Sequence, residues 1–252
     1  KIAYENRGVD NSKFHGCLLC GNVVYFLPLR YPEMIRLDLD DYSMAYIPVP
    51  YHKSGKAAAP QEPQFVYGYA TGDHLKIYRI FSNSLLDMNL KNGEVKEYRL
   101  PIGNCYIWGY FKQGDYEYVV SESGIFVLKR ETIIFHQKSG QYTSGNYFFT
   151  ACGNENRVVF APFRGYHPTA VIIIEHTDDE QIAVRFVNIK TTFHCIRQYG
   201  DKVYLLTNHA HTYFEYDVAR DTSRVIRSGY RDDIEYESKS YPLGEWIGMQ
   251  LI

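Results

Sequence analysis

The chain has 252 residues, with 24 Tyr, 14 Phe and only two Trp, and its 27 basic side chains nearly balance 29 acidic ones for a net charge of −2. So small a charge lacks the positive field that draws a protein onto phosphate backbones or anionic lipid, which excludes nucleic acid and membrane surfaces as default partners. No apolar run approaches the roughly 18 residues needed to cross a bilayer, and the length suits one large all-β domain or two small ones.

Residues 1–5 read as a short strand, and the opening Lys1-Ile2-Ala3-Tyr4 is no secretory signal. Without an initiator Met, the chain is expected to be a processed form or part of a larger polypeptide. From Phe14 onward, short alternating runs separated by Gly, Asn, Asp and Pro predict strands, and helical periodicity is nearly absent. Gly21-Asn22, Gly72-Asp73, Gly114-Asp115, Gly153-Asn154 and Gly200-Asp201 recur at spacings of 51, 42, 39 and 47 residues. This is the repeat length of a four-stranded propeller blade. Each pair is expected to turn a first strand into a second, because both residue types tolerate φ > 0.

The predicted blades cover 14–48, 64–100, 105–136, 146–189 and 193–229. Their first strands are 14–19, 65–70, 105–111, 147–152 and 193–198. Gly16, Gly68, Gly109 and Cys195 lie within them. Such small residues either let inner strands approach closely or mark β-bulges. Two repeats depart from the pattern. The third offers only Lys129-Arg130-Glu131 before its last strand, and the fourth carries two extra residues at Gly153-Asn154-Glu155-Asn156. Segments 1–13 and 230–252 are expected to add terminal strands that seal a ring.

The motif, Gly-Asx-x-Val/Tyr followed by a hairpin ending near Asp38 or Asp217, resembles β-propeller repeat proteins in general over nearly the whole chain. The resemblance implies one all-β domain over 1–252, most simply five four-stranded blades with extra terminal strands. An incomplete six-bladed ring and stacked β-sandwiches are the alternatives. The Trp-Asp pair of WD repeats and the paired glycines of kelch repeats are absent, so no family's residues carry over.

In a propeller the turns between second and third strands share a face with the blade connections, around the mouth of the central channel. Here those turns supply Arg30, Tyr31 and Glu33, Asn83, Glu122, Arg164, Tyr166 and His167, and Asn208, His209 and His211. Planar aromatic faces with Arg, His and Asn donors suit a glycan or peptide ligand. The expected function is therefore a non-catalytic recognition module. The alternatives are a hydrolase or lyase using His167, His209 or His211 with Glu122, and a protein-interaction scaffold. The 49–63 connection, with Pro50, Pro60, Pro63 and Gly55, reads as an inert insertion ahead of a lid.

His209-x-His211 with His167 is a weak metal pattern with no adjacent acid, so no metal, cofactor or catalytic residue is assigned. The predicted inner strands contain no Asp or Glu, which argues against the paired carboxylates of a glycosidase, about 5 to 9.5 Å apart. Five scattered cysteines, Cys17, Cys20, Cys105, Cys152 and Cys195, do not form a disulfide framework. They favour a reducing compartment, with the cytoplasm ahead.

Overall fold

The computed structural model describes residues 14–29, 31, 33–49, 65–79, 82–143, 146–163, 169–177, 181–189, 192–207 and 212–227. The expected terminal strands and nearly all of the 49–63 connection lie outside them. Aromatic and β-branched runs give twenty strands and no helix among the described residues, in five antiparallel four-stranded sheets that form a ring. Blade one holds β1 (Phe14–Cys20), β2 (Val23–Pro28), β3 (Glu33–Asp38) and β4 (Met44–Pro48). Blade two holds β5 (Phe65–Thr71), β6 (His74–Arg79), β7 (Ser84–Asn89) and β8 (Val95–Arg99). Blade three is β9 (Ile107–Gln113), β10 (Tyr116–Ser121), β11 (Gly124–Lys129) and β12 (Thr132–Lys138). Blade four is β13 (Thr150–Asn154), β14 (Arg157–Ala161), β15 (Thr169–His176) and β16 (Ile182–Ile189), and blade five is β17 (Phe193–Tyr199), β18 (Lys202–Thr207), β19 (Thr212–Asp217) and β20 (Thr222–Arg227).

Successive strand residues face opposite ways, and in a blade each face meets a neighbouring blade. The middle strands are consequently apolar on both sides. In β10, Val119 packs toward blade two, while Tyr118 and Val120 pack toward blade four. Buried clusters of this kind fill the interfaces between blades one and two, two and three, three and four, and four and five. Polar links reinforce the last interface. Arg157 Nε binds Glu175 at 2.8 Å while its guanidinium reaches Asp201 of blade five at 3.3 Å. Arg185 binds Asp221 at 2.7 Å and donates to Tyr216 Oη at 2.8 Å.

Four of the five Gly-Asx pairs are the two-residue turns expected, closed by the pairs Cys20↔Val23, Thr71↔His74, Gln113↔Tyr116 and Tyr199↔Lys202. Only the glycines use positive φ, between 54° and 60°, and the Asx residues do not. That is the II′ pattern, whose first central position demands Gly. The fourth pair is different. Asn154 pairs with Arg157, so Gly153 and Asn154 extend β13 and the turn is Glu155-Asn156. The two extra residues lengthen the strand instead of the loop. A repeated hydrogen bond fixes the equivalence: the carbonyls of Asn22, Asp73, Asp115, Asn156 and Asp201 each accept an N–H from the C-terminal end of the third strand or the residue after it, at 2.7–3.2 Å.

The third repeat, which lacks turn residues before β12, folds its hairpin anyway. Arg130 and Glu131 both take left-handed φ, 48° and 66°. Arg130 is held there by Asp115, with Nε donating to Oδ2 at 3.0 Å and the backbone N–H donating to the carbonyl at 3.2 Å.

Candidate functional site

The small residues of the inner strands divide as their surroundings dictate. A Cβ on Gly109 would lie 2.8 Å from both Cβ and O of Phe148, and one on Gly68 would lie 2.7 Å from Leu18. Gly16, which like Gly109 follows a register shift, has nothing within 4 Å.

That shift recurs around the ring. In β1 the pairing jumps from Phe14 to Gly16, in β5 from Phe65 to Tyr67, in β9 from Ile107 to Gly109, and in β17 from Phe193 to Cys195. The skipped residues are His15, Val66, Trp108 and His194, each the second residue of its inner strand. In blade four, Phe163 N–H donates to Tyr147 O as Glu122 N–H donates to Tyr106 O in blade three, so Phe149 occupies the position of Trp108. A β-bulge re-aims the side chain of the extra residue. These four bulges, with Phe149 at the equivalent place in blade four, lie at the end of the inner strands opposite the Gly-Asx turns.

The aimed side chains meet one another. His15 of blade one lies across the mouth from blade four, its ring centroid 5.3 Å from Phe149 and 5.6 Å from Phe163. Phe149 and Phe163 stack at 4.8 Å, and Phe163 meets His194 of blade five at 5.2 Å. Tyr147 joins the cluster to Trp108, at 5.8 Å from Phe149 and 5.2 Å from the indole. Val66 and Trp108 are buried, whereas His15, Phe149, Phe163 and His194 keep partial exposure. The floor of the mouth is thus an aromatic patch carrying two imidazoles.

Burial, with a further contribution from His194, pulls the His15 pKa down to about 4, so this imidazole is uncharged at neutral pH. The Cys195 thiol and the Cys152 thiol of the neighbouring inner strand are pushed up by burial, Cys152 to about 12, despite the nearby Arg197. These cysteines are held as thiols. All five cysteines are free. Among the described residues, no group of three or more His, Cys, Asp or Glu side chains is placed to hold a metal ion. The inner strands as folded still carry no Asp or Glu.

Of the residues picked out on the rim, Tyr31 departs from expectation. It is fully buried, its ring 5.1 Å from Phe14 and 6.4 Å from Tyr46, and contributes to packing instead of the rim surface. Glu33 opens β3 and pairs with Pro48. Asn83 Nδ2 donates to the Gly103 carbonyl at 2.7 Å, bracing the connection between blades two and three. Glu122 is exposed on its turn. Arg30, Arg164, Tyr166, His167, Asn208, His209 and His211 lie outside the described residues. The bulged residues themselves were missed, although the signal was present: His15-Gly16, Trp108-Gly109 and His194-Cys195 each place an imidazole or indole directly before a flagged small residue.

Five four-stranded blades in a ring define a β-propeller. In sequence the chain matches no family model and no curated protein. Among solved structures it is similar to U3-55K, with a TM-score of 0.59 at 12% identity over 90% of this chain and 70% of that one. The WD40 domain of Neurospora crassa Pan2 gives 0.55 at 14% identity, over 86% of this chain and 66% of that one, just under two thirds. The β-propeller domain of Myceliophteria thermophila Cps50 (Swd1) gives 0.52 at 8% identity, over 88% of each chain. At such identities the likeness extends to the fold.

Proposed function

We propose that this propeller is a non-catalytic recognition module that binds an extended segment of a protein partner at the channel mouth. One observation carries the reading: the bulged His15 of blade one and His194 of blade five meet Phe149 and Phe163 of blade four in one half-buried aromatic patch. A bulge removes a residue from the ladder and re-aims its side chain, which at His15 and His194 brings an imidazole to this patch. A peptide is favoured over a glycan because sugar hydroxyls need convergent polar side chains. The described mouth offers aromatic rings and imidazoles, while Asn83 is already bonded to Gly103. The WD40 domains among the similar structures are in keeping with a protein partner. The rim turns carrying Arg30, Glu33, Glu122, Arg164, Tyr166, His167, Asn208, His209 and His211 are proposed to flank the bound segment.

The test is selection from a displayed peptide library, run beside a glycan array. Selected peptides are expected to lose at least about tenfold in affinity with Phe163→Ala, in line with truncating a central aromatic anchor. Tyr199→Ala, an exposed residue at the opposite end of the channel, is expected to leave affinity unchanged. Peptides that bind Phe163→Ala as tightly as the unaltered protein, or glycans retained in preference to peptides, would overturn the assignment.

A further inference from the structure

We propose that the seam between blade five and blade one is a docking surface for a strand of the chain's own C-terminal segment, Ile234–Ser238, with Ile234 and Tyr236 set on blade one and Glu235 and Glu237 on blade five. Buried apolar clusters join every other pair of neighbouring blades, and among the described residues none joins these two.

The two faces of the seam do not match each other. On the side of blade one turned away from blade two, the pairs Val24↔Leu37 and Phe26↔Ile35 continue onto Leu19 and Cys17 of β1. This face is apolar, none of the six belongs to the cluster shared with blade two, and Leu19 is 58% exposed. On the side of blade five turned away from blade four, Arg197, Tyr204, Glu215 and Arg224 form one row across the four strands. Glu215 is held by Lys202 at 3.1 Å and Arg224 at 2.9 Å, whose side chains keep 44% and 66% of their exposure. Closing one face directly onto the other would strip water from these cations against hydrocarbon, which is costly.

A strand that fits between them must be apolar toward blade one and acidic toward blade five. Successive residues of a strand face opposite ways, so the requirement is an alternation. Ile234-Glu235-Tyr236-Glu237-Ser238 has it. Lys202 and Arg224 share the single carboxylate of Glu215, and Asp217 at the end of β19 is accompanied by Arg220 at 3.9 Å, so added carboxylates find cations in surplus.

The connectivity places the segment there. Six residues, 228–233, separate β20 from Ile234, against seven, 100–106, between the last strand of blade two and the first of blade three. The 13 residues before β1 and the 25 after β20 make 38, against 35 in blade one, and both stretches join the described fold at this seam. Tethering gives the segment an effective concentration that a strand from a second copy or a free partner must exceed.

The experiment is amide hydrogen exchange on the full chain, with molecular mass measured by light scattering over a range of concentrations. Amides of 234–238 are expected to exchange at least about tenfold more slowly than in the free peptide 228–252, at a monomer's mass. Glu235→Lys combined with Glu237→Lys is expected to abolish that protection while the amides of β10 keep theirs, which shows the variant to be folded. Asp232→Lys combined with Asp233→Lys, the same change of charge outside the strand, is expected to leave it in place. Exchange at the rate of the free peptide would overturn the proposal. Protection that appears only as the mass doubles would assign the seam to a second copy and overturn it too. Protection that survives the Glu235 and Glu237 reversals would overturn the placement against blade five.

Discussion

Gly109 and Gly16 occupy corresponding places in β9 and β1, yet the structure predicts opposite responses to the same methyl group. In Gly109→Ala the new Cβ would sit 2.8 Å from Phe148 Cβ and O and 3.2 Å from Phe160 Cδ1. Neither neighbour can yield easily. Phe148 and Phe160 are buried to within 1% of their surface, and Phe148 N–H is tied to Trp108 O at 2.8 Å. Overpacking of this kind costs about 1–3 kcal/mol. For a domain near this size each kcal/mol lowers Tm by about 2–4 °C, so a fall of about 2–12 °C is expected. Gly16 has open space around its Cβ position and does not adopt left-handed φ. Gly16→Ala should therefore stabilise by about 0.4–1 kcal/mol, chiefly by restricting the unfolded chain. Parallel thermal melts followed by far-UV circular dichroism decide the matter. Equal shifts of the same sign, or an unchanged Tm for Gly109→Ala, would refute the distinction between the crowded and the open glycine.

Three further outcomes follow from local geometry. Glu131→Gly removes a non-glycine residue from left-handed φ, a conformation costing about 1–2 kcal/mol, and a net gain of about 1 kcal/mol in a denaturation midpoint is expected after the entropy cost of Gly. The Glu215 carboxyl is held down to about 2 by its bond to Arg224, with Lys202 assisting, against an ordinary value of 4.5. A depressed folded-state pKa gives stability present above about 4.5 and lost as pH falls toward 2. In Arg224→Ala the Glu215 midpoint should move upward by NMR, and the acid limb of the stability curve should flatten. Finally, iodoacetamide at pH 8 should leave Cys152 unmodified in the folded protein and label it after denaturation, because burial lifts its pKa to about 12.

The blades were legible because a two-residue II′ turn can hardly be made without Gly, and four of the five glycines turn as their sequence context implies. The fourth was misplaced by two residues. A Gly-Asn pair and a Glu-Asn pair compete for that turn, and the register chosen across β13 and β14 lets Gly153 fit against Gln113 and the Arg157 carbonyl. The Arg130-Glu131 turn was illegible for the converse reason: its stabilising partner, Asp115, is a tertiary neighbour from the preceding hairpin. The site followed the same logic. Turn tips such as Glu122 can be located by counting along one strand, whereas a bulge is a mismatch between two strands. The small residues beside His15, Trp108 and His194 mark the places in the sequence, but the bulges themselves exist only in the pairing with β2, β10 and β18.

The bulge has a consequence for how such a protein can change. Ladder residues must satisfy a neighbouring blade, so their size and polarity are dictated from both sides. A bulged residue escapes that requirement where its side chain clears the interface, as at half-buried His15 and His194, whereas Val66 and Trp108 still pack between blades. The positions already hold His, Val, Trp, Phe and His on one common backbone frame. The side chains at His15 and His194 can therefore change one blade at a time without renegotiating the packing that keeps the ring together.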